Sequence, residues 1–140
     1  MKNVFDNAKV YDNARVSGNA RVYDNVWVSG DAEVSGNAVV SGNAEVSGYA
    51  EVYGNARVSG DAVIEKTSDY LVIGPAKSSG RFTTAHRDSK IGVRVNCGCF
   101  SGTVHEFSKA IETTHKNNQE ALEQYRLFCQ LIAFNFNVKP

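Results

Sequence analysis

The sequence predicts a mainly β protein: a short parallel β-helix of about three rungs over residues 1–66, followed by a small α+β module over residues 67–140. Three features lead to this expectation. From Val4 to Ile64 the chain repeats in sixes without interruption. Within each six, Gly or Asp falls at one fixed place. Beyond Lys66 the apolar period becomes two, and beyond Thr103 it becomes helical.

Read from Val4, the hexads are VFDNAK, VYDNAR, VSGNAR, VYDNVW, VSGDAE, VSGNAV, VSGNAE, VSGYAE, VYGNAR and VSGDAV. Valine opens all ten, and alanine holds the fifth place in nine, Val26 being the exception. The fourth place is Asn or Asp except at Tyr49. A β-branched residue every sixth place supplies a stiff apolar side chain for a half-buried pleated surface. The small fifth residue suits a tight inner corner. The Gly, Asp and Asn between them tolerate positive φ or cap their own backbone at a bend. Each hexad therefore reads as a short strand and a turn. A helix is excluded, because a six-residue period matches no helical face and Gly recurs throughout.

The ten tandem hexads resemble the hexapeptide-repeat family. That resemblance implies a left-handed, triangular parallel β-helix with three hexads per turn, and commonly a trimer about the helix axis. Stacked in threes, Phe5 lies below Tyr23, and Lys9 below Trp27, Glu45 and Val63. A second column holds Arg15, Glu33 and Glu51, a third Arg21, Val39 and Arg57. Trp27, Val39 and Val63 sit where other hexads place charges. With Phe5 and Tyr23 they are the candidate oligomer interface, although single exposed apolar residues are also common on monomers. At about 4.8 Å per rung the stack is only ~15 Å tall. Its terminal repeats need covering, by the C-terminal half or by self-association.

In the second half, Tyr70–Ile73, Arg81–His86 and Ile91–Cys97 read as three strands of a meander. Ile91, Val93, Val95 and Cys97 share one face, Arg94 and Asn96 the other. Thr103 and Glu106 form a capping box that starts a helix with Val104, Phe107 and Ile111 on its buried stripe. That helix ends near His115–Asn118. Leu122, Tyr125, Cys129 and Ile132 mark a second helix, and Phe134–Val138 alternates like a short strand. The run Arg94–Thr103, with Glu106, Phe107 and His115, is similar to a small module of unassigned function in phage and prophage proteins. Its pattern is GCF-x-GT-x-x-EF. The resemblance implies a viral or mobile-element context and carries no chemistry with it.

Fifteen basic and fifteen acidic residues cancel overall, but the first 66 residues carry a balance of minus three and the remainder plus three. Between Lys77 and Arg94 lie five basic residues against Asp88 alone. Arg81, His86, Arg87, Arg94 and Asn96 are the candidate binding residues, for a small anion such as a nucleotide, for a partner protein, or for the acidic repeats themselves. The patch lacks the aromatic interleaving of single-strand nucleic-acid binders. Cys97, Cys99 and Cys129 form only one C-x-C pair, a weak zinc signal, and no base can be assigned to any of them as a nucleophile. Cys97 and Cys129 read as small core residues, with neither metal nor cofactor expected. Acyl transfer, frequent in the hexapeptide-repeat family, is disfavoured: the solenoid is short, no loop interrupts it, and it has no histidine. The opening residues lack the apolar core of a secretory signal, and no apolar run is of membrane-spanning length. The expectation is a cytoplasmic, non-enzymatic oligomeric scaffold or binding protein of phage or prophage origin, acting in the host cytoplasm on a host or virion protein, with capture of a small anionic ligand as the alternative.

Overall fold

The computed structural model describes residues 3–140. The hexads form ten two-residue strands. Three lie in the first turn, β1 (Lys9–Val10), β2 (Arg15–Val16) and β3 (Arg21–Val22), and three in the second, β4 (Trp27–Val28), β5 (Glu33–Val34) and β6 (Val39–Val40). The third turn holds β7 (Glu45–Val46), β8 (Glu51–Val52) and β9 (Arg57–Val58), and β10 (Val63–Ile64) begins a fourth. They stack in parallel as three sheets, β1-β4-β7-β10, β2-β5-β8 and β3-β6-β9. The columns are those expected: Lys9 pairs with Trp27, Trp27 with Glu45, Glu45 with Val63. The valine and alanine of each hexad point inward, and from Ala20 to Ile64 they are fully buried.

The turn chemistry is uniform. The third residue of every hexad has positive φ, whether Asp6, Asp12 and Asp24 at 55–60° or the seven glycines at 62–70°. The fourth-place amides form ladders between rungs, such as Asn7 Nδ2 to Asn25 Oδ1 (3.4 Å) and Asn13 Nδ2 to Asp31 Oδ1 (3.2 Å). Asn3 closes part of the lower end by donating Nδ2 to the carbonyls of Gly18 (3.0 Å) and Ala20 (2.8 Å).

After a 3-10 turn at Thr67–Asp69, the chain forms an antiparallel sheet of β11 (Tyr70–Ile73), β12 (Thr83–Asp88), β13 (Gly92–Cys97) and β14 (Phe100–Gly102). The expected three-stranded meander is thus four-stranded. The added strand arises because Gly98, at φ +58°, turns the chain back so that Cys97 pairs with Phe100 and Val95 with Gly102. Helix α1 (Val104–Thr114) begins at the expected capping box, where Glu106 Oε1 accepts the Thr103 N–H (2.8 Å) and Thr103 Oγ1 accepts the Glu106 N–H (3.1 Å). Helix α2 (Gln119–Phe136) runs through the segment expected to be a strand. Its apolar positions continue at helical spacing to Phe136, and Asn137 ends it in the left-handed conformation at φ 55°.

Three layers result: solenoid end, sheet, helices. The apolar side of the sheet, with Leu71, Ile73, Ala85, Val93 and Val95, packs on α1 and α2 in a second core. Its other side lies on the last solenoid turn, where Tyr70 and Val72 join the first core.

Candidate functional site

The last turn of a parallel stack presents backbone N–H groups that have no further rung to meet. Within the solenoid, each such N–H donates to a carbonyl seventeen residues on, as Lys9 does to Val26 (2.9 Å) and Ser41 to Val58 (2.9 Å). In the last turn, side chains replace the missing carbonyls. Thr67 Oγ1 accepts the Glu51 N–H (3.1 Å) and Tyr70 Oη accepts that of Tyr53 (3.2 Å). Alternate residues of β12 do the rest: Thr84 Oγ1 takes Arg57 N–H (3.0 Å), His86 Nε2 takes Ser59 N–H (3.3 Å), and Asp88 Oδ2 takes Asp61 N–H (3.2 Å). A strand's two-residue period matches the spacing of those donors because they lie on parallel backbone. The match is a register lock: a one-residue slip of β12 would remove all three acceptors.

Most of the candidate binding residues enter this joint. His86 is fully buried, with Nδ1 placed 2.9 Å from the Arg87 carbonyl. Because Nε2 accepts, the ring is the neutral Nδ1–H tautomer. Burial pushes its pKa below the usual histidine range, against smaller opposing effects of the Arg87 carbonyl and the Asp88 carboxylate. Asn96 donates Nδ2 to the Arg57 carbonyl (2.9 Å) and accepts from Ser59 Oγ (3.2 Å). Arg94 packs over Gly60, where any Cβ would collide with the guanidinium, and donates Nε to Asp88 Oδ2 (2.8 Å) and Nη1 to Ser101 Oγ (3.0 Å). Burial alone would raise the Asp88 carboxyl. Hydrogen bonds from Arg94 and from the Lys90 (2.9 Å) and Ile91 (3.1 Å) amides outweigh it and hold the group below the usual carboxylate range. Among the described residues, every buried side-chain nitrogen and oxygen has a hydrogen-bond partner.

Arg87 and Arg81 lie elsewhere. Arg87 leaves β12 on the opposite side, pairs with Asp69 (3.3 Å) and sits 5.3 Å over the Phe136 ring. Arg81 lies against Gly98, beside a cleft of about 130 Å³ that also takes in Cys97, Cys99, His115 and Tyr125. His115 stacks flat on Tyr125 at 4.8 Å. Cys129 is buried, and desolvation pushes its thiol up to about 11. Among the described residues, no three His, Cys, Asp or Glu side chains are gathered as a metal site.

The candidate interface residues do not form one patch. Trp27, half exposed at 52 %, meets the Tyr11 ring edge-on at 6.1 Å on the first sheet, and Val63 lies beside a cleft of about 600 Å³ at the seam with the module. Phe5, Tyr23 and Val39 belong to the third sheet, where Tyr23 and Val39 floor a groove of about 260 Å³ beneath the β13–β14 hairpin. On α2, Leu127, Leu131 and Phe134 form an exposed stripe that the helical period contains but the sequence reading passed over.

The YdcK beta solenoid repeat model matches residues 8–20, 14–30 and 50–65, all within the stacked strands. Residues 4–64 are a hexapeptide-repeat-like β-solenoid. No curated protein and no solved structure matches the chain.

Proposed function

We propose that the protein is a non-catalytic, oligomeric scaffold and binding protein, with the solenoid as a rigid stalk and the sheet-and-helix layer as cap and recognition surface. The observation that carries this reading is the joint. Five side-chain acceptors take the place of a missing rung, so the module is held at one register on the stalk. Exposed aromatic and aliphatic residues on both parts, Trp27 and Tyr49 on the stalk and Leu127, Leu131 and Phe134 on α2, supply surface for self-association and for a partner protein. Two features support the non-catalytic reading: His86 has both ring nitrogens engaged, and the Cys129 thiol is buried and protonated.

The phage-like pattern at Arg94–Thr103 favours a host or virion protein as partner and the host cytoplasm as the setting. Among the described residues, no helix is long and apolar enough to cross a membrane. Light scattering should give about three times the 15.2 kDa chain mass; a clean monomer would remove the trimer. Affinity capture from infected host lysate, with proteins and small molecules both identified, tests the partner. Release of free coenzyme A from acetyl-coenzyme A, with acceptor present, would overturn the non-catalytic reading.

A further inference from the structure

The three sheets differ in charge. Outward strand positions of the first carry Lys9 and Glu45, those of the second Arg15, Glu33 and Glu51, and those of the third Arg21, Val39 and Arg57 with no carboxylate. The two arginines stand in one column about 10 Å apart, two rungs, with Val39 between them. Arg15, the corresponding base on the second sheet, is paired with Glu33 at 3.1 Å. Among the described residues, the Arg57 side chain makes one long bond, Nη1 to the Gly98 carbonyl at 3.4 Å, and no ion pair. The residue lines the groove beneath the hairpin, and no carboxylate lines that groove.

We infer that this groove is a binding site for a small phosphorylated ring compound. The guanidinium offers a planar fork of donors matched to phosphate oxygens. Ser41 and Ser59 line the same wall, with the Ser59 hydroxyl oriented by its bond to Asn96. Tyr23, Val39 and Phe100 supply apolar surface for a ring. A volume of about 260 Å³, at the small end of ligand pockets, suits a sugar phosphate or the phosphate-bearing part of a nucleoside monophosphate. The cap also makes the site firm. Arg94 fixes the hairpin through Ser101, and Asn96 fixes the floor through the Arg57 carbonyl, so roof and floor are held by the joint.

The test is titration of the intact protein with inorganic phosphate, glucose 6-phosphate and adenosine monophosphate, followed by calorimetry and by amide shifts in NMR spectra. Saturable binding of at least one of the two ring phosphates is expected, tighter than inorganic phosphate by about tenfold. The amides of Val39, Ser41 and Gly98 should move. Arg57→Ala should weaken binding at least about tenfold, while Arg15→Ala leaves it unchanged. Val39→Trp, which fills the groove without touching the joint, should abolish it and serves as the second variant should Arg57→Ala lose its fold. Preference between the two ring phosphates identifies the source. No saturable binding of either, or equal binding by the wild type and a folded Arg57→Ala or Val39→Trp variant, overturns the site.

Discussion

At the residue scale, the third place of the hexad shows why Asp and Gly alternate. Asp6, Asp12 and Asp24 keep positive φ because each carboxylate accepts the backbone N–H of the residue one rung above, at 3.2, 3.1 and 2.9 Å. A side chain without an acceptor has the steric cost and no return. At Gly42 a Cβ would lie 2.8 Å from the Gly60 carbonyl oxygen and 2.9 Å from its nitrogen. Gly42→Ala should therefore cost about 3 kcal/mol or more, whereas Gly18→Asp, with the Gly36 amide 3.2 Å from its Cβ, should stay within about 1 kcal/mol of wild type. Urea unfolding of the two variants decides it. His86 yields a pH prediction. Its folded pKa lies below the ordinary value of 6.5, so the unfolded chain takes up the proton first as pH falls. The contribution of His86 is complete above pH 6.5 and declines below it, by up to about 1.4 kcal/mol per pH unit until the folded pKa is reached. The unfolding free energy between pH 7 and 5 should show that slope, and His86→Gln should reduce it.

At the element scale, β12 serves two layers at once. Its even-numbered residues accept hydrogen bonds from the solenoid, while Ala85 belongs to the core beneath the helices. Thr84→Val keeps the shape but leaves the Arg57 N–H without an acceptor, an expected loss of about 1–3 kcal/mol. Asp88→Ala removes four hydrogen bonds and strands the Arg94 guanidinium, an expected loss of about 3–5 kcal/mol. Equal, small losses in denaturant titrations would mean that the strand merely rests on the solenoid. Much of this element was legible beforehand. The alternation of Arg94 and Asn96 against Val93 and Val95 correctly divided β13 into polar and apolar sides. What lay against the polar side was not legible, because polar residues face water and backbone amides alike. The extension of α2 into Phe134–Phe136 was misread for a related reason: in so short a run, alternation and the helical period overlap.

At the scale of the whole molecule, the joint couples two cores that are separate in sequence. The solenoid reports through Trp27 and the module through its two helices. Tryptophan fluorescence and helical circular dichroism should lose signal at the same denaturant concentration. Two distinct midpoints would show that the cap does not stabilise the stalk. The same coupling predicts that a chain ending at Lys66 loses most of its solenoid structure, since its last turn would meet water with Ala and Val exposed at the end.

The sequence by itself determined the repeating strand and bend, with inward valines and alanines. The three-hexad turns, the columns and the need for a cap followed only with the resemblance to the hexapeptide-repeat family. A six-residue period with Gly or Asp at one place leaves the backbone few alternatives, and stacking of identical rungs is local in character. It also marked the helix start at Thr103, where two side chains and two amides settle the geometry among neighbours. Only the tertiary structure decided what the basic meander is for. Arg94, His86 and Asn96 are drawn into the joint because the last rung offers unpaired amides at the spacing of a strand. Arg57 and Ser41, ordinary members of the repeat, become a groove because the hairpin beyond Asn96 happens to overhang them. Neither outcome is encoded within any one segment, because the joint depends on residues 27 positions apart and the groove on residues 41 apart meeting across a surface.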